Sequence, residues 1–274
     1  MSTRRTEQLR LLLPLALRQP REFCDRLRTK WEGLADRQRL PSAAYRAERL
    51  ADGLEQLSAR LGTNPEETLR EREFLNAQRE VASTIARLVD CGRFTTAHNA
   101  DFTLASVVYL VCRQLRPAVV VETGVAYGVT SSFVLLALER NGVGELWSVD
   151  LPPLGRDADQ YVGALVPQHL RSRWHLHRGV SRRLLPRILP PLGRVDVFIH
   201  DSLHTYRNML WEFETVWPFL APGGMLISDD IGGNSAFAEF SEKVGPEFSF
   251  VIREEDKNSL FGVLRKRGES PTRT

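Results

Sequence analysis

The sequence predicts an α/β fold: a doubly wound, mostly parallel sheet of seven strands ending in an antiparallel hairpin, preceded by an α-helical N-terminal segment. Three observations carry this. From Ala118 onward, apolar β-branched runs alternate with helical patterns. The first two of those runs end in acids, Glu122 and Asp150, and the first leads into a turn containing Gly124 and Gly128. The last two, FSFVIRE and SLFGVLRK, flank EDKN with no helix between them, which makes a terminal hairpin with one antiparallel strand.

In chain order, the N-terminal run LRLLLPLAL after Arg4 and Arg5 is split by Pro14 and closed by Arg18, too short for a membrane span and without a small-residue cleavage site. Its leucines are expected to pack on the protein's own core or on a second copy. Leu50, Leu54, Leu57 and Leu61 repeat at helical spacing up to Gly62, a left-handed stop. Asn64, Pro65 and Glu67 then start a helix expected to run through Val81, Ile85 and Leu88 to Cys91-Gly92. A further helix spans roughly Asp101 to Leu115, with Leu104, Val108, Val111 and Leu115 on one face, and stops at Arg116-Pro117. Strands are expected near 118–122, 145–149, 173–177, 195–200 and 224–228, before the hairpin. This divides the chain into a helical segment, 1–95, serving as a cap or in homo-oligomerisation, an α/β domain, 96–267, and a disordered tail, 268–274.

The turn after the first strand decides between cofactors. A dinucleotide fingerprint needs glycines at offsets 0, 2 and 5, but from Gly124 the later positions are Ala126 and Val129. Acid-x-Gly-x-x-x-Gly before a helix, with a second acid ending the next strand, resembles instead the cofactor motif of class I S-adenosylmethionine-dependent methyltransferases. Adjacent parallel strands place Glu122 and Asp150 at one carboxyl edge, where carboxylates can hold ribose hydroxyls.

A second constellation lies in VDVFIHDSLHTYRNMLWEFETVWPFLAPGGMLISDDIGG. One strand ends in His200-Asp201, a helix follows with Trp211, Phe213 and Trp217 on its apolar side, Pro222-Gly223-Gly224 turns the chain, and the next strand ends in Asp229-Asp230. Asp201, Asp229 and Asp230 thereby reach the same edge, where their mutual repulsion calls for a cation. An all-oxygen set suits magnesium better than zinc. Helix capping by the aspartate pair and an arginine partner for Asp201 are the plain alternatives. His204, three residues after Asp201 and expected in the first turn of the helix, can face the same point, and imidazole is the side chain best suited to a general base near neutral pH. His200 should lie on the opposite strand face, and His175 and His177 have no third ligand nearby.

The strings ETGVAYGVTSS, HDSLHTY and LAPGGMLISDDI, over residues 90 to 265, resemble the TylF-type and mycinamicin-type sugar O-methyltransferases and the cephalosporin hydroxylase-like group. The resemblance implies a Rossmann-like fold, with S-adenosylmethionine bound by Glu122, Thr123, Gly124, Tyr127, Gly128, Ser131, Asp150 and Ser181. It implies magnesium on Asp201, Asp229 and Asp230, with His204 or Asp201 as base. Ala126 replaces a middle glycine of the motif, and Val180 stands where many relatives carry an acid before the serine. The function expected is a magnesium-dependent O-methyltransferase acting on a small-molecule or glycan hydroxyl. A catechol or phenol acceptor, and a non-catalytic cofactor-binding or assembly module, are the alternatives.

Composition narrows the rest. Thirty-seven basic against 34 acidic residues is too even to argue for a nucleic-acid partner. Cys24, Cys91 and Cys112 include no C-x-x-C pair, which speaks against a disulfide scaffold or zinc site and for a reducing cytoplasm.

Overall fold

The computed structural model describes residues 12, 14–36, 45–90, 102–154, 158–255, 257 and 259–268. Helix α1 (Pro20–Asp36) is followed by strand β1 (Ala47–Glu48) and helices α2 (Leu50–Leu61), α3 (Pro65–Leu69), α4 (Arg72–Asp90) and α5 (Phe102–Leu115). The alternating region then runs β2 (Val119–Thr123), α6 (Val129–Asn141), β3 (Glu145–Asp150), α7 (Ala158–Tyr161), β4 (Trp174–Arg178), α8 (Ser181–Leu192), β5 (Val195–His200), α9 (Tyr206–Val216), β6 (Leu220–Ser228), α10 (Ala236–Val244), β7 (Phe248–Arg253) and β8 (Leu260–Arg265).

The strands form one sheet in the order β1-β7-β8-β6-β5-β2-β3-β4, in which β8 alone runs antiparallel to its neighbours. The sheet therefore has eight strands where seven were expected. The added strand comes from the N-terminal segment, where Ala47 and Glu48 pair in parallel with Val251 and Ile252. Just beyond it, Gly53 packs so tightly that a Cβ there would lie 2.4 Å from Ile252 Cδ1.

Both faces of the sheet are covered, as a parallel sheet requires. On one face Val120, Val197, Ile199 and Ile227 pack beneath α2, α4, α5 and α6 through Leu57, Phe74, Val108 and Phe133. On the other, Val121, Phe198 and Leu226 meet Leu185 and Leu189 of α8, Met209 and Phe213 of α9, and Phe237 and Phe240 of α10. Helix α5 is buried on every side from Thr103 to Cys112, not along a single stripe, because it lies between α6 and the N-terminal helices.

Several boundaries differ for local reasons. Gly62 ends α2 in the left-handed conformation, φ 64°, and Asn64 caps α3 by accepting from the Glu67 amide at 3.2 Å. The single helix expected from Pro65 is broken at Arg70-Glu71, where Glu71 turns to accept from Tyr109 and from Arg113 Nη2 at 2.7 Å. Pro222-Gly223-Gly224 is no turn between elements but an irregularity inside β6, with Gly223 at φ 75° and a register shift against β5. A Cβ on Gly224 would lie 2.8 Å from the Asp196 carbonyl oxygen. Leu11, Leu13, the Cys91-Gly92 stop, the boundary at 95–96 and residues 269–274 of the tail fall outside the described residues. Among the described residues no helix is long and apolar enough to cross a membrane.

Candidate active site

The site forms at the carboxyl edge where β2 has β3 on one side and β5 on the other, the point at which the sheet's winding reverses. Gly124 leaves β2 with φ 84°, and its amide donates to the Val149 carbonyl at 2.8 Å. A Cβ there would sit 1.8 Å from the Asp201 carbonyl oxygen, so the turn after β2 and the turn after β5 close on each other only because residue 124 is glycine. Ala126 occupies the left-handed region at φ 47°. What distinguishes it from the glycine of the resembled motif is thus backbone strain, not the bulk of a methyl group. Gly128, φ 89°, starts α6 where a Cβ would press on Gly163 Cα at 2.9 Å.

A cavity of about 930 Å³ opens above this edge, within the size range of a small-molecule site. Gly124, Tyr127, Asp150 and Ser181 line it, together with Asp201, His204, Asp229 and Asp230. Glu122, Thr123, Gly128 and Ser131 do not: all are buried behind its wall. Glu122 accepts from Ser131 and Ser148, each at 2.7 Å, and its Oε1 has no hydrogen-bond partner. Burial, reinforced by the charges of Asp201 and Asp150, pushes its pKa up to about 8 against those two hydrogen bonds. Of the predicted acid pair, only Asp150 therefore presents a carboxylate to the cavity. One of its oxygens accepts from the Val125 amide at 3.1 Å, and burial raises its pKa despite that bond.

The predicted metal set is brought together with one exchange. Ligand atoms of Asp201, His204 and Asp229 all lie within 4.8 Å of one another, whereas Asp230 stands at the rim, bonded by Ser259 and 3.3 Å from His204 Nδ1. His204 is not in the first turn of α9. It precedes Thr205, whose hydroxyl caps that helix, yet its Nε2 still lies 3.5 Å from Asp201. Burial, with the like charge of Asp230 adding to it, pushes Asp201 up to about 7 against the pull of His200. Burial and the neighbouring acids likewise raise Asp229 well above the usual carboxylate range. Asp229 Oδ1 and His204 Nε2 are buried without hydrogen-bond partners, which is the state expected of ligands prepared for a cation. The carboxylates of Asp201 and Asp229 fit a hard divalent ion, with the His204 imidazole beside them.

Beneath this cluster lies a pair that sequence reasoning missed. Glu212 of α9 is fully buried and accepts from Thr123 Oγ1 at 2.6 Å, Ser202 Oγ at 2.8 Å and Asn208 Nδ2 at 3.0 Å, with His200 Nδ1 at 2.7 Å. Burial alone would raise Glu212, but the His200 charge and the bonds from His200, Ser181 and Thr123 outweigh it and hold its pKa down to about 2. The buried face of α9 is Met209, Glu212, Phe213 and Val216, while Trp211 and Trp217 are only partly covered. An acid at i+3 in that stripe was the available signal. The walls contributed by α1, and Lys257 from the hairpin turn, also lay outside the sequence reading.

A mostly parallel sheet wound to a carboxyl-edge cavity beside a glycine turn is the Rossmann-like fold of the class I methyltransferases. Comparison with known proteins agrees. Residues 121–231 match the family described as a methyltransferase domain. The O-methyltransferase TomG from Streptomyces achromogenes, solved in complex with SAM, superposes with a TM-score of 0.56 at 14% identity over 69% of this chain and 90% of that one. An O-methyltransferase from Bacillus cereus in complex with SAH gives 0.52 at 14% identity, over 77% and 96%. The O-methyltransferase NovP gives 0.51 at 16% identity, over 71% and 99%. No curated protein matches the chain.

Proposed function

We propose that the protein is an S-adenosylmethionine-dependent O-methyltransferase that uses magnesium and acts on a hydroxyl of a sugar-like or natural-product acceptor. The observation that carries this is the meeting of Asp201, His204 and Asp229 within 4.8 Å in the same cavity that Asp150 and Gly124 line. A module that only bound the cofactor would need Asp150 and the glycine turn but not a buried acid cluster. The similarity to TomG, NovP and the Bacillus cereus protein, each an O-methyltransferase, supports transfer to oxygen.

Asp201 and Asp229 would hold the ion, with Asp230 at the rim and the His204 imidazole beside them as a base. When bound, the ion lowers the pKa of an acceptor hydroxyl and the cofactor's sulfonium supplies the methyl. The chain's own task is alignment and proton removal. Asp150 would take ribose hydroxyls at the cavity wall, and Gly124 lets the backbone approach. His204 or Asp201 accepts the proton of the acceptor hydroxyl as its oxygen bonds to the methyl carbon and the carbon–sulfur bond breaks. The cavity's walls carry polar groups of Arg28, Thr29, Ser202 and Asn208 beside apolar ones of Val149, Leu151, Val162, Val180 and Leu203, so it can take an acceptor with both polar and apolar parts.

Two measurements test this. Calorimetry should detect S-adenosylhomocysteine, with Asp150→Ala weakening it by about 1 to 3 kcal/mol through loss of charged hydrogen bonds. Labelled-methyl transfer to a panel of sugar nucleotides and catechols should stop in chelator, resume with magnesium and fail in Asp229→Asn. Full transfer in chelator would return the aspartates to a structural role.

A further inference from the structure

Helix α1 precedes the matched domain by some eighty residues of sequence, yet Asp25, Arg28, Thr29 and Glu32 on it line the cavity. Its seating inverts the usual amphipathic pattern. The residues it buries are Glu22 and Glu32, whereas Leu27, Trp31 and Leu34 are 46%, 59% and 55% exposed. Apolar contact with the domain does not hold this face down. Charge does: Glu22 pairs with Arg178, Asp25 with Arg183 at 3.1 Å, and Glu32 with Arg182 at 3.5 Å. Arg26 donates to the Pro152 carbonyl at 2.9 Å, and Asp36 accepts from the Tyr206 amide at 2.9 Å. Seventeen helical residues span about 25 Å, so these anchors run from the ends of β3 and β4, beside Asp150, to the start of α9, beside His204.

Arg178 gives the arrangement a chemical consequence. It ends β4 directly across from Asp150 in the strand register, and its charge acts on that carboxylate. Its guanidinium is nevertheless engaged elsewhere, by Glu22 from α1 and by Asp159. Two acids thus engage the cation that stands across from the carboxylate assigned to ribose.

We propose that α1 is the outer wall of the cofactor site, closing over S-adenosylmethionine bound against Asp150, and that Glu22 is a positioning residue that keeps Arg178 off Asp150. This rests on the S-adenosylmethionine-dependent reading above. Without Glu22, Arg178 turns to Asp150 and competes with ribose for its oxygen. Without the ion pairs along α1, the nucleoside is exposed on one side.

The test uses the full chain and S-adenosylhomocysteine. In the wild type, saturating ligand should slow amide hydrogen exchange across residues 20–36. Glu22→Gln should weaken S-adenosylhomocysteine about tenfold, within the range of an indirect coupling between neighbouring groups, and adding Arg178→Gln should restore most of that loss. A merely structural role for Glu22 predicts the reverse, a double variant worse than either single one. Glu214→Gln, which removes a surface pair with Lys243 far from the cavity, serves as the control and should bind as the wild type does. If the wild type does not bind S-adenosylhomocysteine, the cofactor reading itself fails. If it binds but exchange in 20–36 is unchanged, α1 is not a wall of the site and the proposal is overturned, even where Glu22→Gln does not fold.

Discussion

Replacing Gly124 by alanine adds one methyl group at the point where the cofactor turn and the Asp201 turn touch. Two separable penalties follow. The backbone at φ 84° lies in a region that costs an L-residue about 1 to 2 kcal/mol. The new Cβ would also fall 1.8 Å from the Asp201 carbonyl oxygen and 2.4 Å from its carbon, both backbone atoms. Relief requires the Asp201 segment to move by more than about 1 Å, and such overpacking costs about 1 to 3 kcal/mol. Together Gly124→Ala should destabilise the protein by about 2 to 5 kcal/mol in urea denaturation. Gly142→Ala isolates the first penalty, since Gly142 has φ 70° but nothing within 4 Å of its Cβ position, and it should cost only about 1 to 2 kcal/mol. The displaced Asp201 should also lower methyl transfer about a hundredfold in whatever fraction remains folded. Equal losses in the two variants, or a Gly124→Ala protein within about 1 kcal/mol of wild type, would refute the close approach of the two turns.

Glu122, with its pKa raised from the ordinary 4.5 to about 8, binds a proton in the folded state that the unfolded chain has released between those values. Stability is therefore lost as pH rises through that window, at up to about 1.4 kcal/mol per pH unit, and Glu122→Gln should flatten the fall in Tm between pH 5 and 8. Parallel Tm profiles in wild type and variant would contradict this. Glu212→Ala strips the acceptor from His200, Thr123, Ser202 and Asn208 at once and should cost about 3 to 5 kcal/mol by chemical denaturation, where a loss under about 1 kcal/mol would show the hub to be dispensable. Ala126→Gly relieves a left-handed alanine and should stabilise by up to about 1 kcal/mol, net of the extra freedom of the unfolded chain; destabilisation in calorimetry would contradict the strained backbone.

The alternating core was legible because both relevant signals are local. Strand runs and helix stops are written in consecutive residues, and strands ending in acids reach one edge whenever they run parallel. That logic located Asp150, Asp201 and Asp229 in the cavity wall. It could not distinguish Asp150 from Glu122, because the two differ only in what surrounds them: Ser131 and Ser148 draw Glu122 behind the wall, and neither serine is marked as a partner by its position in sequence. The irregularity at Gly223-Gly224 misled for the same reason, since glycine serves a turn and a close approach within a strand equally well.

By itself, the sequence determined the order of elements, the parallel sheet with its antiparallel closing strand, the glycine turn incompatible with a dinucleotide fingerprint, and the acids at the sheet edge. Each follows from periodicity or backbone restriction acting over a few residues. Tertiary structure alone decided that His204 and not Asp230 joins Asp201 and Asp229, that Glu212 gathers its donors from β2, β5, the loop after β5 and α9 itself, and that α1 lies across the cavity on its acidic face. Those outcomes depend on pairings between charged and polar groups far apart in sequence, 156 residues for Glu22 with Arg178 and 170 for Asp36 with the Tyr206 amide. A carboxylate's partner is set by which donor the fold delivers to it, and no local pattern records that delivery.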